Sequence, residues 1–197
     1  MSKLLVMPVD EPATTLVSTT DPAEIAADLG AVGVTFEQWE ANAPLADNAD
    51  QDAVLAAFSG DVERIKHMGY STVDVVRLHG DPDDPEFMKK AAEARNKFLA
   101  EHSHADDEVR FFVEGRGAFY LRFVRPDGVE AIHVAICEQG DFISVPKDTK
   151  HWFDMGTAPS FAAIRFFQVE EGWVGNFTGD PIAERFPTFD ELVVGVG

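Results

Sequence analysis

Five apolar segments follow one another at short intervals after residue 100, and this spacing restricts the fold more than any other feature of the chain. The segments read EVRFFVEGRG, AFYLRFVRPDG, EAIHVAICEQG, DFISVPKDTK and FAAIRFFQV, and each holds alternating or continuous apolar residues. Glycines and the Pro126-Asp127-Gly128 turn separate them. Regular short strands of this kind predict a β-sandwich or a β-barrel.

The first hundred residues predict a mixed α/β part. DPAEIAADLG opens with an Asp-Pro capping signal and ends at Gly30, and the apolar residues of QDAVLAAFSGDVERIKHMGY recur at helical spacing up to Gly69. STVDVVRL predicts a strand, because it is short, apolar and β-branched. HGDPDDPEFMKK predicts a turn followed by a helix that begins at Pro85, with Asp83 or Asp84 as its cap.

The layout along the chain predicts a single domain over residues 1–197. We expect a mixed α/β part over about 1–95, a metal-binding β-barrel over about 96–180 and a C-terminal tail over 181–197. The chain is long enough to bury a sizeable core.

Charge and cysteine content exclude several classes of function. Sixteen basic residues against 35 acidic ones give a net charge of −19, which repels phosphate backbones and anionic lipids. We therefore expect no nucleic-acid partner and no membrane partner. Cys137 is the only cysteine, so an internal disulfide is excluded. The apolar run at the start is too short for a secretion signal, and no stretch has the length of a membrane span, which predicts a cytoplasmic protein.

Residues 101–117, EHSHADDEVRFFVEGRG, contain a candidate metal site. In an extended strand, residues two apart project to the same face, so the rings of His102 and His104 lie on one side, about 7 Å apart. The turn-prone ADD that follows could bring Glu108 back toward them. Two neutral imidazoles and a carboxylate suit a divalent first-row metal, and the lack of a thiolate argues against a structural zinc site. His151, which follows a strand and a Pro-containing turn, is the best candidate for a fourth ligand.

The three other histidines have a simpler explanation. His67 ends a predicted helix, His79 lies in a turn, and His133 lies within a strand without a neighbour that could bind metal. We expect all three to be core or surface histidines.

The glycine and proline spacing around these residues resembles the cupin superfamily. Six residues separate Glu108 from Gly115, and five separate Gly140 from Pro146. These distances resemble the motifs G(x)5HxH(x)3–4E(x)6G and G(x)5PxG(x)2H(x)3N. Departures from the motifs occur at Asn96, Asp148 and Met155, where glycine, glycine and asparagine are expected. The resemblance implies a mainly β fold with peripheral helices, namely a cupin double-stranded β-helix (jelly-roll barrel) with a mixed α/β N-terminal extension. Its mouth would hold one metal ion bound by His102, His104, Glu108 and His151.

Two arginines are candidates for binding an anion beside this metal. Arg110 lies two residues after Glu108 and therefore on the same strand face. Arg165 interrupts the apolar strand FAAIRFFQV, where a guanidinium is costly unless an anion pairs with it. Either arginine alone is equally well explained by an ion pair with an acidic residue. Two arginines beside a metal ion whose coordination positions are not all filled by protein ligands favour a clamp for an anionic substrate.

Longer segments resemble the acireductone dioxygenase family. They are HSHADDEVRFFVEGRGAFYLR, PKDTKHWFDMG, IRFFQ and GWVGNFTGD, with LAAFSGDVERIKHMGYSTVDVVRL in the N-terminal half. The resemblance implies an enzyme of methionine salvage that cleaves acireductone, 1,2-dihydroxy-5-(methylthio)pent-1-en-3-one, with O2 as co-substrate. It implies one Fe(II) or Ni(II) per chain. The products would be 4-methylthio-2-oxobutanoate and formate with Fe(II), or 3-methylthiopropanoate, formate and carbon monoxide with Ni(II).

The same resemblance assigns roles to five further residues. Arg110 and Arg165 would be catalytic and would bind the substrate anion. Phe98, Phe153 and Trp173 would wall the substrate pocket, although core packing is the default explanation for any aromatic residue. We expect the protein to act as a monomer.

Two other functions fit a cupin metal site. One is a different metalloenzyme, either an oxalate-degrading enzyme or a sugar-phosphate isomerase, whose anionic substrates would also suit the two arginines. The other is a noncatalytic cupin that binds a small ligand. Oxygen uptake with acireductone separates these alternatives from the dioxygenase.

Overall fold

Eleven β-strands and six helical segments form the described part of the chain in a computed structural model, which covers residues 1–194. The last three residues of the predicted 181–197 tail lie outside the described residues. The strands are Lys3–Pro8 (β1), Val17–Thr19 (β2), Thr35–Gln38 (β3), Thr72–Leu78 (β4), His102–Ser103 (β5), Glu108–Val124 (β6), Glu130–Glu138 (β7), Asp141–Val145 (β8), Lys150–Asp154 (β9), Phe161–Phe167 (β10) and Asn176–Phe177 (β11). The helices are Pro22–Gly30 (α1), Gln51–Ala57 (α2), Ser59–Lys66 (α3), Pro85–Leu99 (α4) and Phe189–Val194 (α5), with a 3₁₀ helix at Pro181–Arg185.

Strand β6 belongs to both sheets of the fold. It pairs with β7 and β9 in the first sheet, and with β8 and β10 in the second. The first sheet runs in the order β11-β5-β9-β6-β7-β1-β2, and β3 and β4 extend the second sheet beside β8 and β10. All these pairs are antiparallel, as expected for a jelly-roll barrel.

The prediction of two separate strands over residues 108–124 is wrong. Gly115 has a φ of 61°, so it bends β6 without ending it. A Cβ atom at this position would lie 1.8 Å from the carbonyl oxygen of Ser160, so only glycine permits the approach. The bend lets one strand pass from the second sheet into the first.

An apolar core fills the space between the two sheets. Leu121 and Val6 of the first sheet belong to the same buried cluster as Phe112 and Ile143, which lie in the second. The outer face of the second sheet is covered by α2 and α3, and that of the first by the 3₁₀ helix and α5. The prediction of a mainly β fold with peripheral helices is confirmed.

The N-terminal half supplies strands as well as helices. Strand β1, which the sequence reading did not identify, pairs with β7, while β3 and β4 join the second sheet. The division of the chain near residues 95 and 180 stays a prediction.

The helices begin where their capping residues predict. Asp21 accepts a hydrogen bond from the amide of Ala23 (2.8 Å), and Asp84 accepts one from the amide of Glu86 (2.9 Å). The helical spacing over residues 51–69 is realised as two short helices, because Phe58 leaves the helical region at φ −111° and ψ 27°. Within residues 1–194, no helix combines the length and the apolarity that crossing a bilayer requires.

Candidate metal centre

His102, His104, Glu108 and His151 converge on one point between β5, β6 and β9. Each offers one ligand atom, and the four atoms lie within 4.8 Å of one another. All four residues are buried. His102 and His151 are direct partners across the β5–β9 pair, which explains how residues far apart in the sequence meet. The structure thus brings together the four residues that the sequence pattern predicted as ligands.

The three histidine rings are oriented by backbone carbonyl groups. The Nδ1 atoms bond to the carbonyl oxygens of Ala100 for His102 (2.7 Å), of Val174 for His104 (2.9 Å) and of Thr149 for His151 (2.8 Å). Because a carbonyl oxygen only accepts, each Nδ1 must carry the proton. Each Nε2 therefore keeps its lone pair, and metal-binding histidines are commonly oriented in this way.

The electrostatics of the four residues fit a cation. Burial and then the neighbouring His151 lower the pKa of His102 to about 4, so its ring is neutral at pH 7. Burial alone would raise the pKa of Glu108, but Arg110 and His151 hold it well below its usual range, so the carboxylate is ionised. Burial also opposes protonation of His104, yet its contact with Glu108 raises the pKa overall. A bound cation would oppose this upward shift, because it favours the neutral ring whose Nε2 lone pair can bind it.

Two buried atoms at the centre without a hydrogen-bond partner in the described chain also indicate a cation site. The Oε2 atom of Glu108 lies 2.6 Å from Nε2 of His151 and 3.2 Å from Nε2 of His104. Neither Oε2 of Glu108 nor Nε2 of His151 makes a hydrogen bond within the described chain. Buried lone pairs that face one another are costly unless a cation lies between them. Three imidazole nitrogens and one carboxylate therefore form a site that can hold one divalent metal ion.

The turn between His104 and Glu108 is fixed by its own acidic residues. Asp106 accepts hydrogen bonds from the amides of Gln168 (2.6 Å) and Val169 (3.2 Å), while Asp107 accepts one from the amide of Lys147 (2.9 Å). The ADD sequence folds back as expected and brings Glu108 to the histidines.

The departures from the cupin motifs leave the centre intact. Asp148 replaces a motif glycine and has a φ of 62°, a left-handed conformation that aspartate tolerates better than most residues. Its amide donates a hydrogen bond to the carbonyl oxygen of His104 (2.8 Å). Asn96 lies in α4, and Met155 is buried.

Arg110 lies against the centre, and Arg165 lies beside Arg110. The Nη2 atom of Arg110 contacts Oε1 of Glu108, while its Nη1 is buried without a partner in the described chain. Burial lowers the pKa of Arg110 to about 10; the charge of Glu108 opposes this shift, and the charge of Arg165 adds to it. Arg110 therefore stays charged at pH 7. Arg165 donates from Nε to Oδ1 of Asp74 (2.6 Å), and its Nη2 contacts Oδ2. Sequence reasoning did not identify Asp74.

A narrow apolar pocket lies next to Arg110. Its volume is about 20 Å³, and its lining residues are Val76, Phe98, Arg110, Phe112, Phe153, Phe161 and Ala163. The rings of Phe98 and Phe153 meet edge to face, with centroids 6.5 Å apart. Trp173 does not line this pocket and is 57% exposed, so its predicted contact with substrate stays a prediction.

Comparison with known proteins gives matches over nearly the whole chain. The model of the ARD/ARD' family matches residues 4–175. The chain is 56% identical to the acireductone dioxygenase of Parvibaculum lavamentivorans over 191 residues, which cover 96% of this chain and 98% of the relative. It is 48% identical to acireductone dioxygenase 1 of Nocardia farcinica, over 98% of this chain and 100% of the relative. It is also 48% identical to the acireductone dioxygenase of Pseudomonas aeruginosa, over 97% and 100%.

The fold is similar to that of a solved acireductone dioxygenase structure. Acireductone dioxygenase from Bacillus anthracis, with a cadmium ion in its active centre, matches with a TM-score of 0.70 and 28% sequence identity. The match covers 90% of this chain and 98% of that chain, so it includes both the N-terminal part and the barrel.

Proposed function

The chain belongs to the acireductone dioxygenase family, and from this membership we propose that it cleaves acireductone with O2 at the centre formed by His102, His104, Glu108 and His151. The observation that carries the proposal is the convergence of three oriented imidazoles and an ionised carboxylate within 4.8 Å. The resemblance to the family implies this ligand set, and the clustering of the four residues supports the proposal.

We propose that the bound ion is Fe(II) or Ni(II). Imidazole and carboxylate ligands suit both, and Ni(II) binds such sites more tightly while availability decides which one is loaded. When bound, the ion supplies a Lewis acid and a template for a substrate that chelates through two oxygens. With Fe(II) we expect 4-methylthio-2-oxobutanoate and formate. With Ni(II) we expect 3-methylthiopropanoate, formate and carbon monoxide. The reaction would serve methionine salvage.

Arg110 is proposed to bind the substrate anion. Its Nη2 is held by Glu108, whereas its buried Nη1 is free to donate to a substrate oxygen. A charged hydrogen bond of this kind favours the deprotonated enediol over the neutral one. Arg165 adds a second positive charge beside Arg110 and further favours the anion.

The apolar pocket is proposed to receive the methylthio tail of the substrate. Phe98 and Phe153 form part of its wall, and both lie close in sequence to ligands, at His102 and His151. A space of about 20 Å³ has room for little more than one water-sized group. We therefore expect the half-buried Phe98 ring to move aside when the tail enters.

Oxygen consumption tests the proposed function. The metal-free protein is loaded separately with Fe(II) and Ni(II), mixed with acireductone, and followed with an oxygen electrode and by product analysis. We expect uptake with both metals, carbon monoxide only with Ni(II), and no enzyme-dependent uptake from the metal-free control. Absence of uptake with either metal would reject the assignment. Turnover of oxalate or of a sugar phosphate instead would favour the other cupin enzymes.

We also propose that residues 1–197 form one domain that acts as a monomer in the cytoplasm, without nucleic-acid or membrane partners. The net charge of −19 supports the last two points. Sedimentation of the metal-loaded protein would give its oligomeric state directly.

A further inference from the structure

Charged side chains from three neighbouring strands form a row that ends at the metal centre. Asp74 on β4 is the direct partner of Arg165 on β10, and Arg165 is the direct partner of Arg110 on β6. Directly opposed residues place their side chains on the same sheet face. Glu108 lies two residues before Arg110 on that face. The signs of the charges along the row therefore do not alternate, since two positive charges stand between two negative ones.

Each arginine in the row has its own carboxylate. Arg165 holds Asp74 through both Nε and Nη2, and Arg110 contacts Glu108. The side chain of Arg165 is 17% exposed and that of Asp74 is 35% exposed, so water screens their pair only in part. The bidentate contact fixes where the Arg165 guanidinium lies.

Arg165 has a second carboxylate within reach. Because Arg165 is paired with Arg110, Glu108 is its diagonal neighbour across the β10–β6 ladder. Diagonal neighbours have Cα atoms roughly 7–8 Å apart, which a long side chain can span. A guanidinium released from Asp74 would turn to Glu108 and compete with the metal for that carboxylate.

We propose that Asp74 is a positioning residue that keeps Arg165 off Glu108 and so preserves Glu108 for the metal ion. The inference rests on the proposed function in taking Glu108 as a ligand. Asp74 itself does not contact the proposed metal ligand Glu108, and it affects metal binding only by holding Arg165.

Metal affinity measured without substrate tests this role. The dissociation constant for Ni(II) is determined by competition with a chelator for the wild type, Asp74→Asn, Asp74→Glu, Arg165→Met and the D74N/R165M double variant. We expect Asp74→Asn to bind Ni(II) about fivefold more weakly, the equilibrium effect of one partly exposed ion pair. Asp74→Glu should recover most of the affinity, because it restores the charge. The double variant should match Arg165→Met, because the Arg165 guanidinium that would compete for Glu108 is absent from both, while the contact of Arg110 with Glu108 is kept in both.

A matched pair on the other face of β4 provides the control. Arg77 binds Glu114 through Nε (2.8 Å) and Nη2 (3.3 Å), with its side chain directed away from the Asp74 face. Glu114→Gln breaks this fork and should leave Ni(II) affinity unchanged.

Two results would overturn the inference. One is unchanged affinity in Asp74→Asn. The other is equal weakening in Asp74→Asn and in the double variant, which would mean that Asp74 supports only local structure. Failure of the proposed function gives a different pattern, since Ni(II) would then bind with the predicted order of affinities while acireductone caused no oxygen uptake.

Discussion

His133 places a titratable ring inside the barrel, where protonation should destabilise the fold in acid. The residue is 1% exposed, and its Nδ1 has no partner in the described chain. Its direct strand partners are Val6 on β1 and Leu121 on β6, and the Phe123 ring lies 5.8 Å away. Such surroundings offer an imidazolium little solvation.

The size of the effect follows from the shift in pKa. Burial, and next the charge of Arg125, lowers the pKa of His133 to about 4, and the carboxylate of Asp28 opposes the shift only in part. The unfolded chain, with a histidine pKa of about 6.5, binds the proton first as the pH falls. The stability is therefore fully present above pH 6.5 and is lost as the pH falls toward 4. At pH 5 the loss attributable to His133 is about 2 kcal/mol.

Denaturant unfolding at pH 7 and pH 5 measures this loss. His133→Leu removes the titration, so its free energy of unfolding should fall by about 2 kcal/mol less between the two pH values than that of the wild type. Ile136→Val on the same strand is the control, since it trims the core by about 1 kcal/mol at both pH values alike. All three proteins keep the metal ligands, so acid release of metal affects them equally. An identical pH dependence in the wild type and His133→Leu would refute the reasoning.

Three further changes test other parts of the structure. Glu108→Ala should weaken metal binding at least about tenfold, since loss of a residue that merely supports a ligand costs roughly 10–100-fold, and full metal content by elemental analysis would contradict this. Gly117→Ala places a Cβ 2.3 Å from the ring of Phe153, so the ring should be driven into the pocket and kcat/KM for acireductone should fall with metal content unchanged. Gly60→Ala, with nothing within 4 Å, should leave kcat/KM at the wild-type value, and equal kinetics in both glycine variants would be evidence against the pocket. Asp154→Asn removes a buried carboxylate that ties β9 to α4 and to α5, and should lower the free energy of unfolding by about 2–3 kcal/mol, which thermal denaturation would detect.

The metal centre could be predicted from sequence because its pattern is local. His102, His104 and Glu108 lie within seven residues, and His151 follows a proline turn at a characteristic distance. The partners that orient these side chains could not be predicted in the same way. The carbonyl of Val174 that orients His104 comes from 70 residues away, and a carbonyl group leaves no mark on the sequence.

The side-chain contact between Asp74 and Arg165 could not be predicted from the sequence either. It lies 91 residues before Arg165, and nothing in the local pattern of STVDVVRL indicates which strand it joins. One signal was available, since an acidic residue interrupts one apolar strand and a basic residue interrupts another. Only the β4–β10 register shows that the two meet.

The full length of β6 could not be predicted from the local sequence pattern either. Glycines usually separate strands, but here Gly115 bends the strand and Gly117 makes room for the Phe153 ring. Whether a glycine ends a strand or bends it depends on the partner strands on both sides. Those partners are fixed only by the assembled sheets.

X-ray absorption of the Ni(II)-loaded protein tests the central claim most directly, because imidazole rings give a distinct scattering pattern around the ion. The structure predicts three imidazoles and at least one carboxylate oxygen in the coordination shell, with no sulfur. A shell with fewer than three imidazoles, or with a sulfur ligand, would contradict the assignment of His102, His104, Glu108 and His151 as the metal site.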